Sequence, residues 1–199
     1  EISKKIFIKN KINTPKFITY SFNKKNLNLI KTIDSQLKFP VVVKPINEGS
    51  SVNVYICTKK NIKKTLNSMK SYRRVMIEEF IGGREIQVAI MGNKKLGVIE
   101  LKPKRKFYDY QAKYNSKAKT EHIIPVDMNK KKLEQVMNMA LKAHKIIGCK
   151  GISRSDFKFY KNKFYILEIN TQPGMTQLSL VPEIANYNGI KFIKLLEWI

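Results

Sequence analysis

Residues 151–174 read Gly-Ile-Ser-Arg-Ser-Asp-Phe-Lys-Phe-Tyr-Lys-Asn-Lys-Phe-Tyr-Ile-Leu-Glu-Ile-Asn-Thr-Gln-Pro-Gly, and this stretch decides the fold. Runs of aromatic and β-branched residues flank a short polar turn, the pattern of an antiparallel hairpin. With Lys161, Asn162 and Lys163 as the loop, Asp156 falls opposite Glu168 and Arg154 opposite Asn170, because side chains change face at every residue. The other face then carries Phe157, Phe159, Tyr165, Leu167 and Ile169, and burying these pins the register. Two opposed carboxylates repel by about 0.2–1 kcal/mol unless a cation lies between them. With the carboxamide oxygen of Asn170 they form a hard-oxygen set suited to Mg²⁺. The competing interpretation is a solvated face on which Arg154 and Lys158 neutralise the acids in weak surface pairs, and for an arbitrary hairpin that is the commoner arrangement.

The chain has 199 residues, enough for a good core as one domain or two small ones. No apolar run approaches the roughly 20 residues of a membrane span. Residues 1–11 alternate lysines with apolar side chains instead of building a signal-peptide core. A cytoplasmic site of action is expected, with Cys57 and Cys149 as reduced thiols. His144 and Cys149 lie at one helix end with no further soft ligand nearby, which favours structural roles for His122, His144 and both thiols. The net charge of +24 invites a nucleic-acid reading. Against it, only Arg73, Arg74, Arg84, Arg105 and Arg154 among the 39 basic residues are arginines, the type favoured for bidentate phosphate and base contacts. The lysines are also spread along the whole chain, so a lysine-rich nucleic-acid-binding module without catalysis stands as the rival and no specific nucleic-acid or membrane partner is expected.

Along the chain, residues 39–45 form a β-branched run containing Lys44, and residues 52–57 read as its returning strand. Residues 60–70 are expected to be helical, and residues 74–81, 85–91 and 96–102 to be strands, with a hinge at Gly82-Gly83 and a turn at Gly92-Asn93. Residues 107–125 are polar, lack clear periodicity and make a long connection of the kind that is usually functional or disordered. Leu133, Val136, Met137, Ala140, Leu141 and His144 give residues 129–147 one apolar stripe, ended by Gly148, and residues 189–199 close with a short helix. Lys44 at a strand end, ahead of Glu48, Gly49, Ser50 and Ser51, can reach phosphate oxygens while small residues let backbone N–H groups close over them. Taken singly this pattern also suits a solvated hairpin, and neither a Walker loop nor a Gly-x-Gly-x-x-Gly fingerprint is present.

Four segments in order carry a resemblance: Val-Val-Val-Lys-Pro-Ile-Asn-Glu-Gly-Ser-Ser at 41–51, Ile-Glu-Glu-Phe-Ile-Gly-Gly-Arg-Glu at 77–85, Phe-Tyr-Asp-Tyr-Gln-Ala-Lys-Tyr at 107–114 and Leu-Glu-Ile-Asn-Thr-Gln-Pro-Gly-Met-Thr at 167–176. Together they resemble the D-alanine:D-alanine ligases of the ATP-grasp superfamily, from about residue 4 to residue 198. The resemblance implies an α+β ATP-grasp fold of two subdomains, each a largely antiparallel sheet with helices, with ATP between them. The lid would be residues 1–83 and the catalytic subdomain residues 84–199. It implies that Lys44 contacts the α and β phosphates under a flap of Glu48, Gly49, Ser50 and Ser51. Glu78 would meet the adenine amino group, with Glu79, Phe80 and Ile81 along the ring edge, and Glu85 would take the ribose hydroxyls. Lys113 would reach the γ-phosphate, while Ser50 and Tyr114 would hydrogen-bond across the closed site. Asp156, Glu168 and Asn170 would hold two Mg²⁺ ions, with Mn²⁺ as the substitute. Arg154 and the Gly174 N–H would form an oxyanion hole, and Tyr110, Ser179 and Leu180 would contact D-alanine.

The implied reaction joins two D-alanines through an acyl phosphate to give D-alanyl-D-alanine for peptidoglycan, and so serves cell wall biogenesis and cell shape. Relatives of this kind begin with a further N-terminal domain that helps bind the first D-alanine. This chain is therefore expected to be a fragment, inactive or weakly active alone, with homodimerisation of the full-length protein left open. Glu183 departs from the basic or neutral residue of many relatives. Another ATP-grasp carboxylate-amine ligase is the nearer alternative, and it would lack the Tyr-Asp-Tyr-x-x-Lys-Tyr segment.

Overall fold

Two antiparallel sheets, each with its own core, organise the computed structural model, which describes residues 1–23, 28–49, 51–103 and 120–199. The chain divides into two units. The first includes Glu1 and Pro15–Ile81. Its sheet has the order β1 (Phe17–Ser21), β4 (Arg74–Glu79), β2 (Val41–Pro45), β3 (Tyr55–Cys57). Helices α2 (Leu29–Gln36) and α3 (Ile62–Ser68) supply Ile33, Ile62 and Leu66 to a core shared with Val41, Val43, Cys57, Val75 and Ile77. Period-two alternation sends those strand residues to the helices and leaves Phe17, Thr19, Val42, Lys44, Ile56, Met76 and Glu78 on the opposite face. Burial pushes the Cys57 thiol up from its ordinary pKa, consistent with a structural residue.

The second unit takes in Ile2–Thr14, Gly82–Lys104 and Thr120–Ile199. Its sheet runs β7 (Thr120–Ile123), β6 (Lys94–Pro103), β5 (Arg84–Met91), β8 (Ile152–Tyr160), β9 (Lys163–Asn170). Helix α4 (Lys130–Ile147) lays Val136, Ala140 and Ala143 on Ile86, Val88, Ile90, Phe157, Phe164 and Ile166. The Asn129 side chain caps α4 by accepting from the Lys132 N–H, and Gly148 ends it in the left-handed region at φ 83°. Helix α1 (Ile2–Lys9) buries Phe7 in the same core, and the segment after it covers β9 through an Ile166 N–H to Asn13 O bond of 2.8 Å. On the other face, α5 (Leu180–Tyr187) and α6 (Phe192–Glu197) bring Val181, Ile184, Ala185 and Leu195 onto Ala89, Leu96, Ile99 and Ile152. A Cβ at Gly97 would lie 2.7 Å from Asn188 Nδ2 and 3.0 Å from Ile184 Cγ2, so only glycine lets α5 sit this close to β6.

The hairpin differs from expectation in its turn and in part of its buried face. Lys161 and Asn162, both at positive φ (46° and 62°), make a two-residue turn, and Lys163 pairs with Tyr160 inside β9. Near the turn the register is therefore shifted by one, and Phe164 and Ile166, not Tyr165 and Leu167, oppose Phe159 and Phe157 and enter the core. An irregularity beside Asp156 then takes up one residue and restores Asp156↔Glu168 and Arg154↔Asn170. The returning strand expected at 52–57 is shorter, Tyr55–Cys57, and the helix at 60–70 is trimmed to Ile62–Ser68. Elements α1, β1, α2, β7 and α5 were without a periodic signal of useful length, and β7 lies within the stretch 107–125 expected to be irregular.

Candidate functional site

In the second unit, β5 sets Glu85, Gln87 and Ala89 directly opposite Lys158, Asp156 and Arg154 of β8, and β9 adds Glu168 and Asn170 on the far side. Residues on the same face of adjacent strands thus form rows: Gln87, Asp156 and Glu168 in one, Ala89, Arg154 and Asn170 in the next. Asp156 is only 5% exposed. Arg154 grips it in a fork, Nε to Oδ1 at 2.8 Å and Nη2 to Oδ2 at 3.0 Å. Lys158 Nζ donates to Glu85 Oε2 at 3.0 Å. The pairings of the solvated-face interpretation are partly present, then, but Asp156 is buried and its pair is bidentate. Both features make this contact stronger than an exposed ion pair.

The residues present fit a hard divalent cation. Asp156, Glu168 and Asn170 offer two carboxylates and a carboxamide from facing strands. The Asn170 Nδ2 is buried without a hydrogen bond, as is the Oε1 of Gln87, a residue 1% exposed in the row of the carboxylates. Among the described residues no group of three or more His, Cys, Asp and Glu side chains is placed to hold a metal, so an ion here would draw on the carboxamide or on groups beyond those side chains. Gln87 was not singled out in the sequence. Its available signal is a polar residue inside the apolar run Ile86 to Ile90, but the row it joins depends on the β5–β8 register, which no local pattern discloses.

Beyond β9, the loop leading to α5 gathers Gly174, Ser179 and Leu180. The Ser179 hydroxyl accepts from the Thr176 N–H at 3.1 Å and lies 2.9 Å from Thr176 Oγ1. It is therefore turned back into the loop instead of capping α5, although Ser179 occupies the N-cap position. A Cβ at Gly174 would lie 3.0 Å from that hydroxyl, so the two positions are neighbours. Glu183, one turn into α5, meets His122 of β7 at 2.7 Å. His144 is buried and its Nδ1 lies 2.7 Å from Ser153 Oγ. Desolvation pushes its pKa down, and likewise pushes the Cys149 thiol up, as expected of structural groups.

In the first unit the helix-free face of the sheet carries a close pair, Lys44 Nζ to Glu78 Oε1 at 2.6 Å, with Glu78 almost fully buried, and at its end the more exposed Arg74–Glu1 pair at 2.8 Å. Lys44 opposes Met76 and Val42 opposes Glu78, so the pair is diagonal across β2 and β4. The Glu79 N–H is already used by Lys16 O at 2.8 Å, Phe80 is half-buried and Ile81 is buried. Glu48 and Gly49 are exposed in a turn closed by the Val52 N–H to Gly49 O bond of 3.0 Å, and Ser51 sits at φ 60°. Ser50, Tyr110, Lys113 and Tyr114 lie outside the described residues. No described helix is long and apolar enough to cross a membrane.

Comparison with known proteins gives this geometry a family. The profile described as "D-ala D-ala ligase C-terminus" matches residues 6–199, and the chain belongs to that family. A D-alanine--D-alanine ligase of Pelagibacter ubique (strain HTCC1062) is 70% identical over 199 residues, covering 100% of this chain and 66% of the relative. The crystal structure of the Bacillus anthracis D-alanine--D-alanine ligase superposes with a TM-score of 0.85 at 34% identity, over 99% of this chain and 64% of that one. Its complex with ATP gives 0.82 at 30% identity, over 100% and 62%. The fold is thus the two-sheet α+β ATP-grasp architecture of those ligases. The chain spans a little under two thirds of its relatives' length.

Proposed function

We propose that this chain is the ATP-binding and phosphoryl-transfer part of an ADP-forming ligase that joins two D-alanines into D-alanyl-D-alanine for peptidoglycan, in the cytoplasm. The observation that carries this reading is the register that aligns Asp156 with Glu168 and Arg154 with Asn170 on one face of one sheet. Family membership supports it, as does the ATP named in the Bacillus anthracis complex. The further N-terminal domain expected from the resemblance is proposed to complete the first D-alanine site.

In this reading the carboxylate of the first D-alanine attacks the γ-phosphorus, the bond to the β–γ bridging oxygen breaks and ADP leaves, and the protein's work is to position the reactants and neutralise charge. Lys44 serves the α and β phosphates beneath the loop of Glu48, Gly49, Ser50 and Ser51. Glu78, Glu79, Phe80 and Ile81 take the adenine edge, and Glu85 the ribose. Asp156, Glu168 and Asn170 would hold Mg²⁺, two ions in the family pattern, which when bound supplies charge neutralisation at the phosphates. Arg154, held here by Asp156, turns its donors to the transferring phosphoryl group once Asp156 is otherwise engaged. Lys113 reaches the γ-phosphate, and Ser50 and Tyr114 close the site against water, which would otherwise hydrolyse the acyl phosphate. The amine of the second D-alanine then attacks the acyl carbon, and the tetrahedral intermediate expels inorganic phosphate as the amine gives up its proton. Arg154 and the Gly174 N–H stabilise the oxyanion, and Tyr110, Ser179 and Leu180 orient the second substrate.

Calorimetric titration with Mg·ATP tests the reading, run with and without a polyanion competitor. Binding that persists with the competitor and disappears with excess chelator is the expected result. Absence of Mg·ATP binding, or displacement by the polyanion at low salt, would overturn it in favour of a basic polyanion-binding module.

A further inference from the structure

Ile99, Gln87, Asp156 and Glu168 stand side by side on β6, β5, β8 and β9, and Gln87 has no part in the chemistry proposed above. It is 1% exposed, and its Oε1 has no hydrogen-bond partner. Buried side-chain oxygens are almost always hydrogen-bonded, and leaving one unmade costs about 1–3 kcal/mol. Its neighbours along β5, namely Ile86, Val88, Ala89 and Ile90, are all apolar and buried, so an apolar residue would fit this strand without that cost. The Asn170 Nδ2, one row along, is orphaned in the same way. A buried and a half-buried carboxamide, each with an unmet hydrogen-bonding group, thus border the same carboxylate pair. Ser155 Oγ is orphaned too, but it alternates to the opposite face.

We infer that Gln87 is a positioning residue for the divalent cation of Asp156 and Glu168, its Oε1 accepting a hydrogen bond from a water of that ion's hydration shell. The inference rests on the reading of Asp156 and Glu168 as cation ligands. Mg²⁺ gives up its waters reluctantly and keeps several of them when protein-bound. Those waters are polarised donors, and any on the buried Asp156 side of the ion need acceptors from the protein. A carboxamide oxygen meets that need without adding a fourth negative charge beside Glu85, Asp156 and Glu168. Outer-shell partners of this kind are worth roughly 10–100-fold in metal affinity.

The test titrates Mn²⁺ into the full chain in the presence of a non-hydrolysable ATP analogue, following free Mn²⁺ by its paramagnetic resonance signal. Gln87→Met is nearly isosteric and cannot accept. It is expected to weaken Mn²⁺ binding by roughly tenfold or more, while the melting temperature without metal stays level or rises because an orphaned oxygen has gone. Gln87→Glu keeps the acceptor and is expected to bind Mn²⁺ at least as tightly as the parent. Parental Mn²⁺ affinity in Gln87→Met overturns the inference alone, and so does a loss of affinity in Gln87→Glu. A parent chain that takes up no Mn²⁺ overturns the cation reading of Asp156 and Glu168 and the inference with it.

Discussion

Among the described residues, the charges on the helix-free face of the first sheet pair off, whereas those on the Asp156 face of the second leave an excess of acid. Lys44 and Glu78 meet at 2.6 Å on the first, and Arg74 of the same strand face meets Glu1 at 2.8 Å. On the second, Glu85, Asp156 and Glu168 share a face with Arg154 and Lys158 among the described residues of β5, β8 and β9. An excess of acid there, in a chain whose net charge is +24, is the opposite of what a uniformly basic surface would give. The second face also holds the orphaned amides of Gln87 and Asn170. The first face has an orphan of its own, the Oε2 of Glu78, but the second sets two carboxamides with unmet hydrogen-bonding groups beside an acidic row, a setting that suits a cation and its waters. The contrast is in keeping with the proposal that the first sheet serves phosphate and adenine and the second the metal.

The largest effect is expected where balance is broken in the first sheet. Lys44→Met leaves the buried Glu78 carboxylate without its ammonium, and stability measured by hydrogen exchange in β2 and β4 should fall by about 2–3 kcal/mol, somewhat less than for a fully buried pair because Lys44 is 20% exposed. Adding Glu78→Gln should recover much of the loss. A cost below about 0.5 kcal/mol for Lys44→Met would mean that the pair is no more than a surface contact.

In the second sheet the expected loss is of ligand binding more than of fold. Asp156→Asn keeps an oxygen that can accept from Arg154, so the metal-free chain should lose only about 1 kcal/mol. The simple picture of opposed, uncompensated carboxylates would have made this variant neutral or slightly stabilising. The Arg154 fork at 2.8 and 3.0 Å reverses that sign. With Mg·ATP at a hundred times its dissociation constant the parent should gain about 2.7 kcal/mol, and the variant should gain almost none. Thermal melts with and without Mg·ATP measure both quantities, and an unchanged ligand-induced shift in the variant would remove Asp156 from the metal site.

What was legible in the sequence follows from distance along the chain. Asp156 and Glu168 belong to one hairpin, so alternation and the turn were enough to pair them. Their pairing holds although the turn is one residue shorter than expected, because the irregularity beside Asp156 takes up the difference. The inward residues between turn and irregularity were misassigned for the same reason, with Phe164 and Ile166 in place of Tyr165 and Leu167. By contrast Lys44 and Glu78, or Gln87 and Asp156, meet through registers between strands far apart in sequence. Residue types and the family resemblance named most of those positions, but no local periodicity places one against another.

Lowering the pH should separate the units again, because His144 belongs to the second. Burial holds the His144 imidazole below its ordinary pKa, so the unfolded chain binds the proton more readily than the folded one. The contribution is complete above the unfolded value of about 6.5 and is lost as pH falls below it toward the depressed folded value. Protection of α4 and β8 amides, corrected for intrinsic exchange, should therefore drop between pH 7.5 and 5.5, and His144→Gln should flatten that dependence. An identical slope in the variant would assign the effect to other groups.

The smallest effect concerns the turn that separates the local hairpin from the long-range pairings. Lys161 and Asn162 both lie in the left-handed region, at φ 46° and 62°. Asparagine and glycine enter that region at little cost, whereas a side chain such as lysine does so against roughly 1 kcal/mol of steric opposition. Two-residue turns of this hand accordingly favour Asn-Gly. Lys161→Asn should relieve part of the opposition, against the loss of a contact in which Lys161 Nζ lies 5.4 Å from the Tyr160 ring centroid. That exposed contact is worth about 0.5 kcal/mol. The net gain should be about 0.5 kcal/mol, read as a higher denaturation midpoint with an unchanged slope. Asn162→Gly in the same background should add a similar increment without altering nucleotide affinity, since neither residue belongs to the rows that carry Asp156 and Glu168. If both changes instead destabilise, the register near the turn is held by Phe157, Phe159, Phe164 and Ile166 in the core and owes nothing to the turn.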